Sequence, residues 1–201
     1  MKDLALLVAD KNMDFALRGI LARPESINIR RLSYEIKAHA GRDGGVRTSG
    51  PETLALLKRQ FRNGLLMMDW EGSGAEVGSS IELENELDAR LAELWGNQAK
   101  AIVIDPELDA WVWGSDNVMS EILGWRKNQR IRAWLADHGY ELDPHLKPLR
   151  PKEALEELMV YLSEPRSLIL YERVTSRISL ERCVDPAFNR LKAKLQAWFP
   201  A

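Results

Sequence analysis

Apolar and polar positions follow two regimes along the chain. Positions 4–9, 64–68 and 101–104 are nearly continuous apolar runs, and each is followed by an aspartate: Asp10, Asp69 and Asp105. Short unbroken runs of this kind mark strands buried on both faces, as in a parallel sheet. Ile27, Ile29, Leu32, Tyr34 and Ile36 alternate with polar residues and change parity near residues 30–31. That pattern predicts a longer, half-exposed strand over 27–36 with a bulge. Helical spacing predicts helices over 12–23 behind an Asn12 cap, from Pro51 to about 62, and from Ser80 to about 95. Residues 37–50 (KAHAGRDGGVRTSG) and 70–78 read as loops. The order β-α-β-α-β-α-β predicts an α/β fold with a mostly parallel sheet and helices on both faces.

Beyond Pro106 the period becomes helical throughout, at 108–113, 117–123, 126–138, 153–162, 168–177 and 186–199. A proline-rich link at 143–151 divides these helices. The expected organisation is an α/β core at 1–113 and a helical extension at 114–201 packed on it.

Composition narrows the function classes. The chain has 201 residues, 45% of them hydrophobic, with 28 Lys+Arg against 30 Asp+Glu and a net charge of -2. A near-neutral balance, even between the two halves, gives no support for bulk electrostatic binding of nucleic acid and leaves only local basic patches. Cys183 is the single cysteine, which excludes an internal disulfide and a cysteine-rich zinc site; it is expected to be a small buried hydrophobe. No signal peptide and no membrane span are expected, so the protein is expected in the cytoplasm.

The candidate chemistry lies in the acids. Ligands of open α/β sheets bind beyond the carboxyl ends of the strands, where Asp10, Asp69 and Asp105 are expected. Glu71 follows Asp69 at i+2. Glu107 follows Asp105 in the same way, with Asp109 two residues further on. In extended backbone, residues i and i+2 face one side, and paired carboxylates suit a hard cation such as Mg²⁺ or Mn²⁺. A strand-end acid is also a common helix cap or turn former. There is no G-x-x-x-x-G-K-[ST] phosphate cradle and no G-x-G-x-x-G after a strand. Ser73 and Ser79 have no paired base nearby, which argues against a serine hydrolase.

A first strand ending in an acid, followed by a strand ending Asp69-Trp70-Glu71, resembles the Toprim fold of topoisomerases, primases and related nucleases. The chain is more closely similar to small Toprim-like proteins of bacterial defence islands, including accessory proteins of methylation-associated anti-phage systems. The matching residues are Glu107-Leu108-Asp109-Ala110-Trp111, the loop His39-Ala40-Gly41-Arg42-Asp43-Gly44-Gly45, Pro151-Lys152-Glu153, and the stretch from Cys183 to Leu191. Each motif is short, but together they span most of the chain. The resemblance implies a Mg²⁺-dependent phosphodiesterase or nuclease in antiviral defence. It implies metal ligands among Asp10, Asp69, Glu71, Glu107 and Asp109, with Asp10, Asp69 and Glu71 catalytic. DNA or another nucleic acid and other defence proteins are the implied partners. The chain departs from the family in carrying Asp10 where Glu is usual, Lys11 where Gly is common, and Glu71 in place of a second Asp. These departures favour the alternative, a non-catalytic Toprim-like interaction subunit.

His39, Arg42 and Arg47 lie in the predicted Gly-rich loop and Lys152 starts a predicted helix; these four are the candidate phosphate or nucleic-acid contacts. The same four also fit a solvated turn and an ordinary helix start. Arg126, Lys127, Arg130 and Arg132, beside Trp125 and Trp134, form either a nucleic-acid track or an exposed basic helix face. Trp111 is expected to wall the site and Trp113 to pack. His138 and His145 are expected at the surface.

Overall fold

A computed structural model describes residues 1–75 and 78–201. Its centre is a four-stranded, all-parallel sheet in the order β2-β1-β3-β4. The strands are β1 (Lys2–Val8), β2 (Tyr34–Ala38), β3 (Phe61–Asp69) and β4 (Ala99–Ile104). Leu4 to Val8, Gly64 to Met68 and Ala101 to Ile104 are buried without alternation, as strands covered on both faces require. The crossover helices are α1 (Lys11–Leu21), α2 (Arg42–Ala55) and α3 (Ser80–Trp95). From β1 the chain moves outward to β2 and then returns across β1 to β3. The strand order therefore reverses between β1 and β3, and the crevice beyond their carboxyl ends is where such sheets hold ligands. Right-handed crossovers put α1 on one face and α2 with α3 on the other.

The remaining helices are α4 (Asp109–Val112), α5 (Asp116–Leu123), α6 (Ile131–Asp137), α7 (Pro151–Leu162), α8 (Leu168–Thr175) and α9 (Pro186–Trp198). They return to the sheet layer: α8 packs along α1, and α9 lies against β4. The α1–α8 contact is close because of Gly19. A Cβ there would stand 2.2 Å from Thr175 Oγ1 and 2.6 Å from the Glu172 carbonyl. The buried Thr175 hydroxyl lies 2.9 Å from the Ala16 carbonyl oxygen. No helix among the described residues is long and apolar enough to cross a membrane.

Several sequence expectations are corrected. Asp10, not Asn12, caps α1, and the helix expected over 126–138 begins only at Ile131. The strand expected over 27–36 is shorter and later. Pro24–Ile27 is a 3-10 turn, Asn28 is left-handed at φ 55°, and Ile29 makes only an antiparallel bridge to Pro200. Ile27 and Ile29 are buried because the turn faces the C-terminal helix, not because a bulged strand carries them. The Gly-rich segment 37–50 is not a loop, and Pro51 does not start the helix. β2 runs to Ala38, and α2 begins at Arg42 with Pro51 inside it. An internal proline leaves the carbonyl four residues back without its donor. Here that carbonyl belongs to Arg47, and Arg90 Nη1 donates to it at 2.7 Å. The expected loop at 70–78 holds only partly described residues, since Glu76 and Val77 lie outside them.

Candidate functional site

Asp10 stands immediately after β1 and N-caps α1. Its Oδ1 accepts from the Met13 N–H at 3.0 Å, and its Oδ2 accepts from Asn12 Nδ2 at 3.2 Å. Asp69 is the last residue of β3, the next strand over. Its Oδ1 accepts from the Leu108 N–H at 2.8 Å, and Oδ2 has no hydrogen-bond donor among the described residues. Asp43, in the first turn of α2, turns back to the same place, and its Oδ1 accepts from the Asp69 N–H at 2.8 Å. Three carboxylates from β1, α2 and β3 thus meet at the switch point of the sheet.

Electrostatics bind these groups together. The Asp69 carboxyl is pushed well above the usual carboxylate range, first by burial and then by Asp43, Asp10 and Asp109, against the Leu108 N–H. The Asp43 carboxyl is also raised, mainly by burial and further by Asp10. Asp109 is raised by burial, against the pull of Arg166 and Tyr171. Glu107 is raised by burial, Asp109 and Glu71 to about 7. Mutual influence of this kind marks carboxylates clustered in one partly buried place.

The carboxylate cluster has a second side with its own partners. Glu107 Oε1 accepts from the Lys152 N–H at 3.1 Å, which makes Glu107 the acid at the N-terminus of α7. Asp109 is buried and accepts two bonds from Arg166 Nη2, at 2.8 and 3.0 Å, and one from the Tyr171 hydroxyl at 2.8 Å. Arg166 also pairs with Glu156 at 2.9 Å. Asp109 therefore already has its counter-cation. Glu71 is exposed, and its N–H donates to the Pro106 carbonyl at 3.0 Å. Asp105 stands apart: it accepts from the Ser80 hydroxyl at 2.7 Å and faces the start of α3.

The four expected phosphate contacts are arranged differently from one another. His39 Nδ1 accepts from the Gly41 N–H at 3.0 Å, so Nε2 carries the proton and donates to Ser49 Oγ at 3.2 Å. In that tautomer His39 is not a base towards Ser49. The ring instead packs on Gly45, where a Cβ would lie 2.4 Å from Nδ1. Arg47 Nη1 donates to the Gly74 carbonyl. Arg42 and Lys152 are exposed at the first turns of α2 and α7, near the acids. Trp111 packs edge-on to Phe188 at 5.5 Å in the core, rather than standing open at the pocket. Trp113 is buried as expected and donates to the Pro151 carbonyl at 3.0 Å. His138 and His145 are exposed as expected. Cys183 is half-buried, and burial pushes its thiol up.

Among the described residues, no three His, Cys, Asp or Glu side chains are arranged as a ready metal cage. The donor chemistry still fits a hard cation. Asp69 Oδ2, Asp43 Oδ2 and the carboxylate of Asp10 offer oxygen alone, and three mutually repelling acids gain from a positive charge. Mg²⁺ commonly takes one or two protein carboxylates, several waters and a substrate phosphate, and needs no complete protein cage.

Asp43, Arg166 and Tyr171 escaped the sequence reading as site residues. Asp43 was visible inside the motif His39 to Gly45, but a loop reading hid its return to β3. Arg166 and Tyr171 lie 57 and 62 positions from the Asp109 they hold, and nothing local in the sequence marks them.

The chain matches no protein-family model, and neither a curated protein nor a solved structure matches it.

Proposed function

We propose that the pocket beyond β1 and β3 is a Toprim-like, Mg²⁺-dependent phosphodiesterase or nuclease site acting in antiviral defence. One observation carries the reading: the strongest charge influences on half-buried Asp69 are other carboxylates, at the switch point of a parallel sheet. A protein gains no stability from such an arrangement unless something cationic enters it. Asp69, Asp10 and Asp43 would hold the ion, and exposed Glu71, two residues after Asp69, would add a further oxygen. Bound there, Mg²⁺ supplies charge to polarise a phosphoryl oxygen and acidify a water.

The chain's own residues set the rest. Asp69 is fixed by the sheet and by its two backbone bonds, so its carboxylate presents one position. Glu107, at about 7, holds a proton near neutral pH and can give it to a departing oxygen. Arg42 and Lys152, at two helix starts, suit the phosphates on either side. The test is Mn²⁺- or Mg²⁺-dependent cleavage of labelled single- and double-stranded DNA and RNA. Cleavage lost in Asp69→Asn supports the reading; equal cleavage by both proteins rejects it.

A second reading, a non-catalytic interaction subunit, is favoured by two specific contacts. Asp10 Oδ1 caps α1 and its Oδ2 accepts from the Asn12 side-chain amide, and Asp109 is neutralised by Arg166. In that reading the acids are structural and no cation is needed.

A further inference from the structure

Away from the carboxylates, one surface collects cations over aromatic rings. Residues 126–132 (RKNQRIR) carry four cations and no acid, in a chain with net charge -2. Residues 126–130 lie in the connection from α5 to α6, and Ile131 and Arg132 begin α6. Arg132 is turned inward, paired with Asp116 at 3.1 Å and donating to the Trp113 carbonyl at 2.8 Å. Arg126, Lys127 and Arg130 are exposed, and among the described residues none of them is in an ion pair.

Lys127 is nevertheless held in place. Its Nζ lies 4.2 Å from the Tyr161 ring centroid, 5.6 Å from Trp125 and 6.0 Å from Trp134. Those rings brace one another, with Trp134 4.9 Å from Tyr161 and 5.8 Å from Trp125. The Trp125 indole N–H donates to the Gln129 carbonyl at 2.8 Å, which fixes the loop to the rings. Beside them is an open hollow of about 490 Å³ lined by Arg126, Lys127, Asn128 and Gln129.

Aromatic faces position an ammonium without cancelling its charge. An acid would have neutralised it. A positioned, uncancelled cation between two exposed arginines and two amides complements phosphate oxygens. Tyr161 is 45% exposed and carries Lys127 on its ring, so a base stacking there would take the ammonium's place and leave Lys127 to a phosphate. Cations tracking a backbone beside aromatic rings are the features that bind single strands, whose unpaired bases can stack. We infer that residues 125–130 with Tyr161 form a docking site for single-stranded nucleic acid, separate from the carboxylate pocket. Phosphates would lie on Arg126, Lys127 and Arg130, and a base on Tyr161.

A competing occupant is a methylated ammonium group that displaces Lys127 from the rings. The two differ in sign. Removing Lys127 weakens a phosphate site and opens an ammonium cage.

The test is fluorescence anisotropy of a short labelled single strand with the full chain in EDTA, so that no divalent ion at the carboxylates enters the result. Replacing Arg126, Lys127 and Arg130 together by alanine is expected to weaken binding at least tenfold. It should also flatten the slope of log K against log[salt] by about 2, at roughly 0.7 per phosphate contact. Tyr161→Ala is expected to weaken binding about fivefold with the slope unchanged, and Tyr161→Phe to restore it. The triple variant changes only exposed side chains, so it decides the matter even if Tyr161→Ala folds poorly. Absence of saturable binding by the wild type overturns the inference. So does a triple variant that binds as the wild type, or a Lys127→Gln protein that binds the strand unchanged and tetramethylammonium more tightly.

Discussion

The Asp69 N–H donates to Asp43 Oδ1 at 2.8 Å, so the acid that ends β3 is positioned by a second acid from the start of α2. This one bond both orients Asp69 and places a like charge beside it. Orientation and repulsion can be separated by substitution. Asp43→Asn keeps an acceptor for the N–H and removes the charge, so stability in urea should be unchanged or higher. Asp43→Ala leaves that N–H without its partner and should cost about 1–3 kcal/mol. Equal losses in the two variants would remove the repulsion from the account.

Stability should depend on pH in a direction set by the raised acids. Asp43, Asp69, Glu107 and Asp109 all bind protons more tightly when folded than when unfolded. The folded state therefore holds more protons, and stability falls as pH rises between the unfolded and folded values. For Glu107 that window runs from 4.5 to about 7. Its share is at most about 3–4 kcal/mol, and less where neighbouring acids titrate with it. Metal-free protein should melt higher at pH 5 than at pH 7.5, and Glu107→Gln should flatten that difference. A melting temperature that rises with pH across this window would contradict the assignment.

Adjacent glycines in α2 should respond oppositely to alanine. At Gly44 an added Cβ meets nothing within 4 Å, and the helix propensity of alanine should stabilise by about 0.5–1 kcal/mol. At Gly45 the Cβ meets the His39 ring, so His39 must move and the Ser49 bond is lost. Thermal melts of Gly44→Ala and Gly45→Ala should therefore shift in opposite directions.

Gly19→Ala tests whether the C-terminal helices fold with the sheet. The new methyl would collide with the α8 backbone at the Glu172 carbonyl, which cannot rotate away as a side chain can. A loss of about 3 kcal/mol or more is expected, in the range of overpacked cores. It should appear in one cooperative transition. A separate low-temperature transition confined to the helical half would show that this half folds independently.

The parallel sheet was legible because burial on both faces leaves unbroken apolar runs at β1, β3 and β4. The acids ending β1 and β3 were legible for the same reason, since a buried run that stops at an aspartate stops at the sheet's edge. The start of α2 was not. Gly44 and Gly45 look like a turn, and only the folded His39 ring explains Gly45. Pro51 looks like a helix start, and only the distant Arg90 explains it as an interior residue. Glu71, Glu107 and Asp109 read alike as acids at i+2 spacing. Their roles separate through Lys152, Arg166 and Tyr171, which come from segments far along the chain.

The most direct measurement is the melting temperature of wild type and Asp69→Asn at pH 7.5, with and without Mg²⁺ or Mn²⁺. Anything that binds only the folded state raises its stability by mass action. The wild type should gain several degrees at millimolar ion. Asp69→Asn should melt at or above the metal-free wild type and gain nothing from the ion, because the amide removes both the repulsion and the charge that holds a hard cation. A wild type that does not respond, or an Asp69→Asn protein that gains as much as the wild type, would contradict a cation site at the ends of β1 and β3.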